Sequence, residues 1–149
     1  MNDEFIQHFR EIIRILDREI FYQNQSSCCN GISVAQCHTL LEIEKKKEIS
    51  VSELADCLSL DKSTVSRTIE GLVNINLVDR IIPKRNRRMA LVSLTSGGKK
   101  VCDNINYTNN KYIKRLLDNF SESEREEFLR LLRNFTCNMA EARKGNSCC

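Results

Sequence analysis

The sequence predicts a mainly α chain with one small β-hairpin. Three observations carry that prediction. Capping boxes at Ser33-Val34-Ala35-Gln36, Ser50-Val51-Ser52-Glu53 and Ser121-Glu122-Ser123-Glu124 each precede apolar residues at helical spacing. A broad apolar stripe runs through Phe5, Phe9, Ile12, Ile13, Leu16 and Ile20. The period breaks only between Asp79 and Leu94, where two short extended patterns flank an arginine-rich tip.

Taken in order, residues 4–25 form a first helix carrying that stripe, and Gln23 to Gly31 is a polar connection containing Cys28-Cys29. Ser33 opens the next helix, whose apolar side holds Val34, Cys37, Leu40 and Leu41. Lys45-Lys46-Lys47 closes it as a solvated end, where cations complement the helix dipole. Ser50 opens a third helix with Val51, Leu54, Ala55 and Leu58 on one side. Asp61 is the expected N-cap of a fourth, in which Val65, Ile69, Leu72 and Val73 face the core. That leaves Lys62, Ser63, Thr64, Ser66, Arg67 and Glu70 pointing outward.

Asp79 to Pro83 and Ala90 to Leu94 read as the two hairpin strands, with Pro83 suited to an edge. Ser96-Gly97-Gly98 reads as a turn before a long helix from Lys99 to Asn119, with Val101, Ile105, Tyr112, Leu116 and Phe120 at helical spacing. Phe128, Leu131, Leu132 and Phe135 line the last helix. The tail from Arg143 to Cys149 is polar and is expected to fray.

Length and composition bound the function classes. A chain of 149 residues with 41% hydrophobic and 29% charged residues is expected to be one globular domain with a real core. No apolar run is long enough to span a bilayer and the N-terminus lacks a signal-peptide pattern, so the expected location is the cytoplasm, with no membrane partner. A net charge of +3 does not by itself imply nucleic acid. The distribution does, because Arg80, Lys84, Arg85, Arg87 and Arg88 crowd into the hairpin. A hairpin tip cannot bury guanidinium groups, which stay available to phosphates or a minor groove. Short hydroxyls and an arginine near the start of the fourth helix suit a major groove.

The run DKSTVSRTIEGLVNINLVDR, followed by RNRR and then LVSLTSGGKK, resembles the winged helix-turn-helix of the MarR family of transcriptional regulators. The likeness extends over most of the chain. It implies a winged helix-turn-helix over 33–95 with its wing at 79–94, and a helical dimerisation layer from 4–30 and 99–149. The implied partners are a second copy of the chain and double-stranded DNA carrying a pseudo-palindromic operator, its half-sites about 34 Å apart. DNA contacts are expected from Lys62, Ser63, Thr64, Ser66 and Arg67 in the groove and from Lys84, Arg85, Arg87 and Arg88 on the wing. Family wings commonly carry an aspartate near the tip; Asn86 stands there in this chain.

Eight cysteines make this a cysteine-rich member. Without an export signal they are expected as thiols. Cys28, Cys29 and Cys37 fall within the short run CCNGISVAQC, and three thiolates suit trivalent arsenic or antimony (arsenite or antimonite), while a fourth ligand would suit zinc. Cys148 and Cys149 can add ligands, from the other protomer if terminal helices meet in the dimer layer. Cys57, Cys102 and Cys137 lie in helical patterns and are expected to serve packing. His38 follows Cys37, but helix neighbours point about 100° apart and make no catalytic pair. With no CxxC and no phosphate-cradling glycine loop, an enzyme is not expected.

The expected function is a homodimeric regulator, a repressor released by thiol chemistry at the cysteine cluster through a thiophilic metalloid, metal ion or oxidant. One alternative is release by a small aromatic inducer, with the cysteines incidental. The other is a thiol-rich metal-binding or redox protein whose basic hairpin is only solvated surface.

Overall fold

A computed structural model of the chain describes residues 2–26, 31–83 and 90–145. Along it run α1 (Asp3–Ser26), α2 (Val34–Lys46), β1 (Glu48–Ser50), α3 (Val51–Leu58), α4 (Lys62–Asn74), β2 (Val78–Ile81), β3 (Leu91–Leu94), α5 (Ser96–Leu116) and α6 (Glu122–Gly145). They divide into two units, Met1–Asn109 and Asn110–Cys149.

Local chemistry sets the helix starts. The Ser33 hydroxyl accepts from the Gln36 amide at 3.2 Å, and the Gln36 side chain accepts from the Ser33 amide at 2.8 Å. The same reciprocal pair joins Ser50 to Glu53 and Ser121 to Glu124. Each box satisfies two amides that the first helical turn leaves unpaired. Hydrogen bonds from Ser50 and Ser121 also hold the Glu53 and Glu124 carboxyls below the usual carboxylate range.

The hairpin strands pair antiparallel, Val78 opposite Leu94 and Ile81 opposite Leu91. A third strand, β1, adds to the other side of β3 with Ile49 opposite Val92, giving the order β1-β3-β2. Periodicity does not announce β1, since three residues are too few to show alternation and its partner lies far along the chain. The Ser96-Gly97-Gly98 turn of the sequence reading is instead the first turn of α5. The Thr95 hydroxyl accepts from the Gly98 amide at 2.9 Å and so caps the helix earlier. Gly98 is buried there, and a Cβ at that position would sit 2.1 Å from the Leu77 carbonyl oxygen. Only a residue without a side chain admits this approach. Thr95 ties the same junction twice more, its amide donating to Leu77 O and its hydroxyl to Asn76 O.

The core of the first unit gathers Leu40 and Ile43 from α2, Leu54 and Ala55 from α3, and Val65, Ile69 and Leu72 from α4. Val78, Val92 and Cys102 close it from the sheet and α5. Fully burying such an aliphatic side chain contributes about 1.5–3 kcal/mol, so these few residues dominate the unit's stability. Val73 departs from expectation, being 36% exposed. At about 100° per residue it lies some 80° round from Val65, outside the stripe that Ile69 and Leu72 continue.

On helix α1 the stripe residues Phe5, Ile12, Leu16 and Ile20 are all exposed. In the second unit, Phe128, Leu131 and Leu132 of α6 are exposed as well. The turn between α5 and α6 is nevertheless built. Arg125 donates through Nε to Leu117 O at 3.0 Å and through Nη2 to Asp118 O, and the Phe120 and Phe128 rings lie 6.3 Å apart. Among the described residues, no helix is long and apolar enough to cross a membrane.

Candidate nucleic-acid interface

Helix α4 buries Val65, Ile69 and Leu72, and this fixes which side chains remain outside. Lys62, Ser63 and Arg67 are exposed, and Thr64 and Ser66 are half-buried. The five α4 residues expected to meet DNA therefore sit together on the N-terminal, outward part of one helix. Helix α3 packs against α4 and both pack against α2, so the reading face rests on a rigid three-helix support.

The start of α4 is organised by Asp61. Its Oδ1 accepts from the Thr64 amide at 2.8 Å and from the Ser63 hydroxyl at 2.5 Å, and its Oδ2 accepts from the Thr64 hydroxyl at 2.6 Å. The hydroxyl of Ser63, then the hydroxyl and the amide of Thr64, hold the Asp61 carboxyl far below the usual carboxylate range. Arg67 folds back along the same face, Nε donating to Ser63 O at 3.3 Å and Nη2 reaching Ser63 Oγ at 3.4 Å. Its remaining N–H groups are free to form a fork toward two acceptors of a base or a phosphate.

The wing begins with Asp79 and Arg80, both exposed on β2, which is an edge strand. Ile81 and Ile82 follow, each more than half exposed. The four other wing cations of the sequence reading, Lys84, Arg85, Arg87 and Arg88, lie outside the described residues, as does Asn86.

The cysteines separate into kinds. Cys37 is 3% exposed on α2, and Cys102 is fully buried on α5. Burial above all, then Glu44, Asp103 and Cys37, pushes the Cys102 thiol up to about 12. Asn106 of α5, one turn on from Cys102, donates to Glu44 of α2 at 3.0 Å, a hydrogen bond between the two helices. Cys57 and Cys137, expected in packing, are exposed. Cys57 falls about 300° on from Leu54, off the buried Leu54–Ala55 side of α3. Cys28, Cys29, Cys148 and Cys149 lie outside the described residues. Among the described residues, no three His, Cys, Asp or Glu side chains gather into a metal cage.

Residues 30–89 match the model of the MarR family. The chain is 26% identical over 102 residues to the HTH-type transcriptional regulator BilQ of Clostridium symbiosum, covering 68% of this chain and 71% of that one. Its fold is similar to that of a mutant MarR from Escherichia coli complexed with operator DNA, with a TM-score of 0.72, 25% identity, and 89% and 96% of the two chains covered. It is similar also to FabT of Streptococcus pneumoniae in complex with DNA, with a TM-score of 0.78 at 18% identity, covering 93% and 99%.

Proposed function

We propose that this chain, whose residues 30–89 match the MarR family, is a winged helix-turn-helix regulator of that family, a homodimeric repressor whose α4 enters the major groove of a pseudo-palindromic operator. The observation that carries this is the split of α4 into a buried apolar side and an outward side of Lys62, Ser63, Thr64, Ser66 and Arg67. The wing residues Lys84, Arg85, Arg87 and Arg88 then supply the phosphate or minor-groove contacts. Two reading helices are needed, because a short helix with a handful of contacts binds a single half-site weakly. The exposed apolar residues of α1, and separately those of α6, are candidates for contacts between two copies.

The signal we assign to thiol chemistry at Cys28, Cys29 and Cys37, by arsenite, antimonite, zinc or an oxidant, with Cys148 and Cys149 as further ligands. What supports it is an adjacent thiol pair a few residues before a helix whose own cysteine, Cys37, is buried. Interiors are close-packed, so any group added to the buried Cys37 has to move α2 from its packing neighbours. A ligand that favours the parted form lowers operator affinity by population shift.

The test is binding of the reduced protein to its own promoter region, alone and with arsenite, zinc or peroxide. Wild type is compared with a Cys28→Ser, Cys29→Ser, Cys37→Ser variant. Release of wild type but not of the variant by one agent identifies the signal. Equal behaviour of the two proteins sinks the thiol assignment and leaves a small aromatic inducer. Failure of reduced wild type to prefer promoter over unrelated DNA sinks the repressor reading itself.

A further inference from the structure

We propose that Asp61 sets the hydrogen-bond polarity of the reading face, fixing the hydroxyls of Ser63 and Thr64 as acceptors so that they read amino groups on base edges rather than phosphates. The inference rests on the reading of α4 as the DNA-contacting helix, and adds a specificity-determining residue that does not itself touch a base.

The geometry goes beyond capping. An N-cap needs one side-chain oxygen on one amide, which serine or asparagine supplies equally well. Asp61 makes that bond to Thr64 N and then accepts two hydroxyl protons besides, from Ser63 and from Thr64. A hydroxyl has one proton and two lone pairs. With both protons turned toward Asp61, only lone pairs remain for an outside partner. Ser63 Oγ is further occupied by Arg67 Nη2, leaving it one free acceptor site, while Thr64 keeps two.

DNA answers this polarity selectively. Phosphate oxygens accept only, so neither hydroxyl can serve them without breaking its bond to Asp61. In the major groove the donors are the N6 amino group of adenine and the N4 amino group of cytosine. The ionised Asp61 carboxylate also disfavours close approach of phosphates at this end of the helix. Arg67, donor only, keeps the complementary task of reading acceptors such as guanine O6 and N7. One short stretch of α4 thereby presents acceptors and donors in a fixed arrangement.

Asp61→Asn is the discriminating variant. The amide oxygen keeps the cap on Thr64 N, while the NH₂ group replaces one acceptor and turns one hydroxyl proton outward. Duplexes selected from a random pool by wild type are remade with single adenines replaced by purine, or single cytosines by 2-pyrimidinone, each deletion removing one major-groove amino group. Wild type is expected to lose about tenfold in affinity at one or more such positions in each half-site. Asp61→Asn is expected to lose that penalty and to bind unrelated duplex more tightly than wild type does. Circular dichroism of the variant checks that α4 remains folded, and Ser63→Ala with Thr64→Val removes the two acceptors by a second route. Selective binding by wild type that ignores every amino deletion, or an unchanged deletion profile in Asp61→Asn, overturns the proposal. Selection of no sequence at all by wild type overturns the reading of α4 beneath it.

Discussion

The core of α2, α3, α4 and the sheet and the two long helices α1 and α6 solve opposite problems. In the former, each helix finds apolar neighbours on other elements of the same unit, and Leu40, Ile43, Leu54, Ile69 and Leu72 are all sealed from water. In α1 and α6 the helical period is as clear, yet Phe5, Ile12, Phe128 and Leu131 remain exposed. Amphipathicity thus says that a face wants covering and not what covers it. The closed core is sealed by contacts within its own unit, whereas the open faces leave apolar surface in water, which the proposed second copy would cover.

The sharpest way to break this comparison is to charge the open face. Phe128→Glu with Leu132→Glu is expected to yield a monomer by sedimentation while retaining helical circular dichroism. Specific DNA affinity should fall on the order of 10²-fold or more, the loss that accompanies separating two linked half-site contacts. A variant that stays dimeric would show that α6 is covered by something other than a second copy.

The closed side responds differently. Leu72→Ala is expected to cost about 2–5 kcal/mol in urea unfolding, because a sealed site collapses only partly around a missing side chain. The midpoint should drop at all protein concentrations alike, whereas the midpoint of the charged α6 variant should no longer depend on concentration. A cost below about 1 kcal/mol at Leu72 would mean that the reading unit is far looser than its burial implies.

The smallest contrast is chemical. At pH 8, Cys57 and Cys137 are expected to alkylate within minutes and Cys102 to resist until the chain unfolds. The thiolate is the reactive form, and with its thiol pushed up to about 12 Cys102 carries almost none of it. Mass spectrometry of the modified sites reads the outcome directly. Rapid labelling of Cys102 would place the α2–α5 contact among the openings rather than in the core.

These regions also differ in what the sequence made legible. Capping boxes at Ser33, Ser50 and Ser121 are written within four residues, and the structure forms all three. The outward set on α4 follows by subtraction once Val65, Ile69 and Leu72 are assigned inward. Strand β1 escaped because its evidence is a pairing with Val92 across the fold and not a local pattern. Gly97-Gly98 read as a turn because glycine breaks helices on average; here Gly98 is required by the approach of Leu77. Cys57 and Cys137 misled because a helical pattern says nothing about which side of the helix a residue takes when its neighbours are charged. At the site, residue identity was legible and hydroxyl direction was not. The second depends on how Asp61 is turned, and spacing carries no trace of a side-chain torsion.

The contact between Gly98 and the Leu77 carbonyl bears on anyone who would transplant this reading head. A graft that ends at Leu94, where the wing strand stops, discards Thr95 and the first turn of α5 that clasp Asn76 and Leu77. The transferable module therefore extends through Gly98 at least, and a fusion helix joined there must bring a glycine at that register. Any other residue pries open the junction between the recognition helix and its wing before the new partner has bound anything.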